Sequence, residues 1–178
     1  MRVVADRRHA LRALAGALGC TLLPTVGAGA AGSAPPLRIV ASFSIIADMV
    51  REVAGDLAEV TSLVGPDADA HAYSPRPADL LRVRQADLVV LNGLGFEGWM
   101  HRLIPAAGYR GPVLTVTDGL QPRRLGRGHD PHAWQNLAHA QHYVGRIRSA
   151  LVALRPDQAA AIGARAAAYQ ARLAALDA

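Results

Sequence analysis

The chain has 178 residues, 51% of them hydrophobic, which suffices for one α/β domain with a hydrophobic core but not for two full domains plus a leader. Its formal net charge is +5, yet four of the 19 basic and one of the 14 acidic residues lie within residues 1–31, so the remainder carries about +2. Aromatic residues make up only 4%, and the remaining arginines are scattered among acids, so charge and aromatic content argue against a nucleic-acid partner.

Residues 1–31 are predicted to be a signal peptide. Arginines precede the apolar stretch ALRALAGALGCTLLPTVGAGA, and small residues follow it, so cleavage near Ala30 or Ala31 would export the rest of the chain. Glycines and a proline interrupt this stretch, which disfavours a membrane span. Two variants stay open beside simple secretion: RRHAL loosely resembles a twin-arginine signal, and ALGC loosely resembles a lipid-attachment site at Cys20. Cys20 is the only cysteine, so any metal site in the exported chain uses nitrogen and oxygen ligands.

From residue 37 onward, strand-like and helix-like segments alternate. Compact apolar runs predict four strands, in LRIVAS, AEVTSLV, DLVVLNG and GPVLTVTDG. Apolar residues at helical spacing predict three intervening helices, in FSIIADMVREVAGD, SPRPADLLRVRQA and FEGWMHRLIPAAG. The remainder is predicted to form two long helices, AWQNLAHAQHYVGRIRSALVALR and DQAAAIGARAAAYQARLAALDA. This alternation predicts an α/β fold with a four-stranded parallel sheet flanked by helices, which binds ligands at the carboxyl ends of its strands.

His71 lies in the loop GPDADAHAYSPRP, between the second predicted strand and the following helix. Glycine, proline and aspartate already supply the turn, and a solvated loop has no core for an imidazole ring to fill. We therefore interpret His71 as a ligand-binding side chain.

His132 lies in GRGHDPHAWQN, which follows the fourth predicted strand and opens a helix. Asp130 can orient the imidazole through its second ring nitrogen, as carboxylates do for metal-bound histidines, or it can simply cap the helix. The pairing favours the first interpretation, because both His71 and His132 follow strands of one sheet and can converge on one ion at its carboxyl edge.

The other histidines of the exported chain have plainer interpretations. His129 is a solvated loop residue or an auxiliary ligand, and His101 is a surface residue beside Arg102. His139 and His142 are three positions apart on one helix face, a spacing that can bind metal, but a solvated face is the preferred interpretation.

Three stretches, HAYSPRPADL, ADLVVLNGLGFEGWM and DPHAWQN, resemble the metal-binding solute-binding proteins of bacterial ABC importers for zinc and manganese, the cluster A-I family. The resemblance runs from about Leu37 to the end of the chain. It implies two α/β lobes joined by one long helix, with the ion between the lobes. Two of the four family ligands match His71 and His132; the third, a His or Glu, and the fourth, usually an Asp, come from the second lobe.

The resemblance implies that residues 32–154 form the N-terminal metal-binding lobe and that 155–178 begin the inter-lobe helix, with the second lobe absent and the chain cut short. It also implies a periplasmic, monomeric receptor that carries Zn²⁺ or Mn²⁺ to an ABC permease in the inner membrane, and no enzyme activity. The histidine-rich loop of many zinc-specific members is reduced here to GRGHD.

Two alternatives stay open. The first is a small zinc hydrolase, with His71 and His132 holding the ion and Asp69 or Asp130 as the general base. Neither a His-Glu-x-x-His motif nor a Gly-x-Ser-x-Gly motif is present, which disfavours it. The second is a surface adhesin, since some relatives are described as adhesins.

Overall fold

The computed structural model describes residues 34–126 and 128–178. The predictions of a signal peptide over residues 1–31 and of lipid attachment at Cys20 lie outside the described residues. Residues Ala34–Ala178 form one compact unit.

The centre of the fold is a parallel sheet. Its strands are β1 (Leu37–Phe43), β2 (Ala58–Val64), β3 (Leu88–Leu91) and β4 (Val113–Thr115), in the order β2-β1-β3-β4. Every neighbouring pair of these strands is parallel. In β1, all residues except Arg38 are buried, as expected for the strand at the middle of a sheet covered on both faces. The predicted four-stranded parallel sheet flanked by helices is confirmed.

Five α-helices accompany the sheet: α1 (Ser44–Ala54), α2 (Pro77–Arg84), α3 (Met100–Ala106), α4 (Leu137–Leu154) and α5 (Ala159–Leu176). Helix α1 packs against α4 and α5, whereas α2 packs against α3. The chain moves from β1 to β2 in one direction and from β2 through β3 to β4 in the other. Because crossovers between parallel strands are right-handed as a rule, this order places the two groups of helices on opposite faces of the sheet.

The reversal of direction creates a crevice at the carboxyl ends of β1 and β3. The connection after β1 leads to β2 on one side of β1, and the connection after β2 leads to β3 on the other side of β1. Loops that follow neighbouring strands therefore diverge at this point, which is where open α/β sheets bind ligands. The loops after β2, β3 and β4 all reach this edge.

Several elements differ from the predictions in their bounds. Helix α3 begins only at Met100. Gly93, Leu94 and Gly95 have positive φ angles, which are incompatible with a right-handed helix, so no helix can begin in this turn. The predicted helix over 133–155 is divided into a 3₁₀ turn, Ala133–Gln135, and α4, whose first turn Asn136 caps by accepting the His139 N–H. An unpredicted antiparallel pair, β5 (Arg124–Leu125) and β6 (Gly128–His129), precedes this turn.

Helix α5 is tied to the body of the fold. It buries Ile162, Ala166 and Leu173, and full burial of an isoleucine or leucine side chain contributes about 1.5–3 kcal/mol to folding. Arg165 Nε donates to the carbonyl of Val53 at the last turn of α1, 2.8 Å away, and so satisfies a terminal helix acceptor. Among the helices of residues 34–126 and 128–178, none has the length and apolarity needed to cross a membrane.

Candidate metal centre

The loop after β2 presents His71 through a short Asx turn. Asp69 Oδ1 accepts the backbone N–H of His71 at 2.8 Å, and this bond bends the chain so that the imidazole leaves the loop. The loop then returns to α2 through Tyr73, whose hydroxyl donates to buried Asp79 Oδ2 at 2.7 Å. The His71 loop, residues 65–76, is therefore anchored on both sides of the histidine although His71 itself is exposed.

The loop before α4 presents His132 in the same way, with more contacts. Asp130 Oδ1 accepts the His132 backbone N–H at 3.0 Å and also lies 2.8 Å from ring atom Nδ1. Arg123 donates to the other carboxylate oxygen of Asp130 at 2.7 Å. Asp130 therefore contacts the His132 ring, and the same oxygen accepts the backbone bond that forms the turn.

These bonds stabilise the charged form of Asp130. The backbone N–H of His132, the Arg123 guanidinium and the His132 ring lower the pKa of Asp130 from 3.8 to about 2. An ionised carboxylate accepts hydrogen bonds only, so a neutral His132 ring carries its proton on Nδ1. The lone pair of the ring is then on Nε2, the atom that points away from Asp130.

The two predicted ligand residues meet at the carboxyl edge. His71 Nε2 and His132 Nε2 lie 3.2 Å apart, although 61 residues separate them in the chain. Two nitrogens bound to one tetrahedral Zn²⁺, each about 2.0–2.1 Å from the ion, lie about 3.3 Å apart. Adjacent ligands in an octahedral site have a similar separation, so this distance fits one shared ion without selecting the metal.

An aromatic wall supports both imidazoles. Phe96 lies edge-on to both rings, with ring centroids 4.3 Å from His71 and 5.7 Å from His132. Trp134 lies 5.4 Å from His132, and Phe43 packs behind both Phe96 and Trp134. This wall excludes water from one side of the pair and limits rotation of the rings.

Open space flanks the pair on both sides. A cavity of about 330 Å³ adjoins His132 and is lined by Arg123, Asp130 and His139 among others. A second one, of about 520 Å³, adjoins His71 and includes His101. Further ligands or water molecules can therefore reach an ion held by the two nitrogens.

The remaining histidines do not join the pair. His101 is exposed, as predicted, and His129 is exposed on β6 rather than in an irregular loop. His139 and His142 are half-buried rather than fully solvated, and the His142 ring contacts the carbonyl of Asp118 at 3.0 Å. In the part of the chain that the structure describes, no group of three or more His, Cys, Asp or Glu side chains could hold an ion.

Sequence reasoning used residues 92–99, which join β3 to α3, only for the family resemblance and assigned their side chains no role at the site. Buried Glu97 accepts hydrogen bonds from Ser42 at the end of β1 and from the N–H groups of Asn92 and Gly93 at the end of β3. It therefore ties together the two strands that border the crevice. The available signal was position: NGLGFEGW follows a buried strand at the same sheet edge as both histidines.

Comparisons with known proteins identify the family of the chain. Residues 39–178 match the family model described as the zinc-uptake complex component A, periplasmic. The iron-binding protein YfeA of Yersinia pestis is 34% identical over 151 residues, which are 82% of this chain and 48% of YfeA. A manganese-bound periplasmic metal binding protein of Candidatus Liberibacter asiaticus superposes with a TM-score of 0.71 at 35% identity, over 75% of this chain and 52% of that one.

A zinc-bound neighbour has the same fold. Zn(II)-bound AdcA from Streptococcus pneumoniae superposes with a TM-score of 0.73 at 29% identity, over 80% of this chain and 31% of AdcA. The chain spans about half the length of the first relatives it matches.

The fold and these relatives define the class of protein that the chain resembles, the substrate-binding components of metal ABC transporters. The chain belongs to the zinc-uptake complex component A family. Relatives in this class are substrate-binding components and not enzymes, so the prediction of a non-enzyme is confirmed and the hydrolase alternative loses its support. The adhesin alternative stays a prediction.

Proposed function

We propose that the chain captures one divalent first-row metal ion at the carboxyl edge of its sheet, with Nε2 of His71 and Nε2 of His132 as two of the ligands. The observation that carries this proposal is the 3.2 Å separation of the two nitrogens. In neutral rings, two lone pairs at this distance repel each other unless a proton or a metal ion lies between them. The ionised carboxylate of Asp130 adds negative charge beside the pair and favours a cation there.

Zn²⁺ is the cargo that the two imidazoles favour, with Mn²⁺ as the alternative. Imidazole nitrogen binds zinc more strongly than manganese, whereas carboxylate and water ligands suit manganese. The names of relatives and structural neighbours include iron, manganese and zinc, so family membership does not determine the metal. The preference for zinc therefore rests on the chemistry of the two imidazole ligands. Two imidazoles leave further coordination positions for water or for other protein groups.

The transport role is the second part of the proposal. The chain would act in the periplasm after export and deliver its ion to an ABC permease in the inner membrane, as a monomer. Residues 32–154 would form the metal-binding lobe, and residues 155–178 would begin the helix that leaves it. Relatives described as periplasmic or as transporter lipoproteins support this assignment, and the lipoprotein names support Cys20 as a lipid-attachment site.

Calorimetric titration of the full chain with Zn²⁺ tests the proposed site. His71→Ala and His132→Ala are each expected to weaken binding by about tenfold or more, because each removes one of two protein ligands. Mn²⁺ should bind more weakly than Zn²⁺ in the same titration.

His101→Ala is the matched control, since His101 is an exposed histidine beside the same cavity as His71 but lies outside the pair. It should leave Zn²⁺ affinity unchanged. Unchanged affinity in both His71→Ala and His132→Ala would overturn the proposal.

A further inference from the structure

The peptide bond that precedes each histidine is held at both ends by side chains. At His71, Asp69 accepts the peptide N–H at 2.8 Å, and Trp99 Nε1 donates to the peptide carbonyl, that of Ala70, at 2.8 Å. Because a peptide group is planar, two hydrogen bonds on its opposite ends fix the direction in which the next Cα–Cβ bond leaves the chain. The position of the His71 side chain therefore depends on Trp99.

The same arrangement recurs at His132. Asp130 accepts the peptide N–H at 3.0 Å, and Asn92 Nδ2 donates to the peptide carbonyl, that of Pro131, at 2.9 Å. In both loops the aspartate is two residues before the histidine. In both loops the carbonyl partner comes from the segment 92–99. Phe96, between Asn92 and Trp99 in this segment, contacts both imidazole rings.

The orientation of the Asn92 amide is determined by its surroundings. Its NH₂ group faces two carbonyls, those of Pro131 and Gly93, which can only accept hydrogen bonds. Its oxygen accepts from the Tyr143 hydroxyl of α4 at 2.6 Å. Burial, and secondarily the charge of Glu97, raise the pKa of Tyr143, so this hydroxyl keeps the proton that it donates.

The backbone of the segment is shaped to allow these contacts. Gly93, Leu94 and Gly95 all have positive φ, a backbone conformation that is strained for a residue with a side chain such as Leu94. A Cβ atom on Gly93 would lie 2.4 Å from Thr115 Cγ2 of β4, so glycine is required there. The tight turn brings Asn92, Phe96 and Trp99 to one edge of the sheet.

From these contacts we infer that the segment 92–99 positions both metal ligands, with Asn92 holding the peptide before His132 and Trp99 holding the peptide before His71. Both are positioning residues, which act on the ion through the histidines. This inference rests on the proposed function of the histidine pair. It predicts that metal affinity depends on two side chains that are buried and do not bind the ion.

Two substitutions with matched controls test the inference in the full chain. Trp99→Phe keeps an aromatic ring beside Tyr73 but removes the Nε1 donor; its control is Tyr109→Phe, which removes another aromatic donor to a backbone carbonyl, that of Pro112. Asn92→Ala removes the amide; its control is Thr117→Val, which removes a buried hydrogen bond to the Asn92 carbonyl but leaves the amide in place.

Zn²⁺ titration should show that Trp99→Phe and Asn92→Ala each lower Zn²⁺ affinity about tenfold, as is usual when a group that holds a metal ligand in place is removed. Both controls should retain the affinity of the unsubstituted chain. Circular dichroism and thermal unfolding show whether each variant folds like its control. Electron paramagnetic resonance of the Cu²⁺-loaded chain adds a signature that stability alone does not change: nitrogen splitting from two imidazoles in the unsubstituted chain and from fewer in the two variants.

The outcomes separate the two proposals. If His71→Ala and His132→Ala lose affinity while Trp99→Phe and Asn92→Ala match their controls in affinity and in spectrum, the positioning inference is wrong and the proposed site stands. If the histidine variants bind as well as the unsubstituted chain, the proposed site itself is wrong. Should Asn92→Ala not fold, Trp99→Phe alone decides the inference.

Discussion

The two loops that present the histidines share a backbone design and differ in how they hold the imidazole. Each has an aspartate two residues before the histidine, and each aspartate accepts the histidine N–H. Asp130 also contacts the His132 ring and is itself held by Arg123. Within the residues that the structure describes, Asp69 has no recorded bond to the His71 ring, which is oriented by Phe96 and by its contact with His132.

This difference suggests a division of roles between the two ligands. His132 is 38% exposed at its side chain and is fixed by a carboxylate, so its lone pair already points to the proposed ion position. His71 is exposed and held mainly by backbone bonds and aromatic packing, so its ring keeps more freedom. We expect His132 to be the preorganised ligand and His71 to be the ligand that adjusts when an ion binds.

The largest loss of Zn²⁺ affinity should come from removing Asp130, whose contact with the His132 ring has no counterpart in the His71 loop. Asp130→Ala is expected to lower Zn²⁺ affinity by about tenfold to a hundredfold, because it frees both the backbone and the ring of His132. Asp69→Ala removes only a backbone bond and should cost less than tenfold. Calorimetry on both variants measures the difference, and equal losses would contradict the division of roles.

An intermediate effect, on the mobility of the imidazole rings, is expected from a substitution in the aromatic wall. Phe96→Leu removes the edge contact at 4.3 Å from His71 and the weaker one at 5.7 Å from His132. The NMR signals of the His71 ring should therefore change and broaden more than those of the His132 ring. Phe43→Leu is the matched control, because Phe43 is equally buried and packs on Phe96 and Trp134 instead. Equal changes in both rings would show that packing does not orient His71.

The smallest effect is a pH dependence of stability in the metal-free chain. The pKa of Asp130 is about 2 in the fold against an ordinary 3.8, so its charged form stabilises the folded state above pH 3.8. This contribution is lost as pH falls from 3.8 toward 2. The free energy of unfolding should therefore fall less steeply over this range in Asp130→Asn than in the unsubstituted chain, as measured by urea unfolding. Parallel curves for the two proteins would show that Asp130 carries no such linkage.

Much of the site could be predicted from the sequence because it depends on sheet topology. Strands alternating with helices predict a parallel sheet, and residues that follow parallel strands meet at one edge. Sheet topology therefore predicted that His71 and His132 lie together, in agreement with the composition of their loops and with the family resemblance. The Asp130 contact was also predictable, since the two residues are neighbours in the chain.

What the sequence did not predict depends on contacts between distant residues. The hydrogen bond from Trp99 to Ala70 spans 29 residues and that from Asn92 to Pro131 spans 39, and neither has a local pattern. The hairpin of β5 and β6 consists of two short, exposed strands without the alternating apolar residues that predict a strand. The half-burial of His139 and His142 arises from packing that helical spacing alone does not specify.

X-ray absorption at the zinc edge of the Zn²⁺-loaded full chain tests the central claim most directly, because it counts the imidazoles on the ion. We expect scattering from two histidine rings at Zn–N distances of about 2.0–2.1 Å, reduced to one ring in His71→Ala and in His132→Ala. A spectrum with no imidazole scattering, or one that either substitution leaves unchanged, would contradict the shared ion.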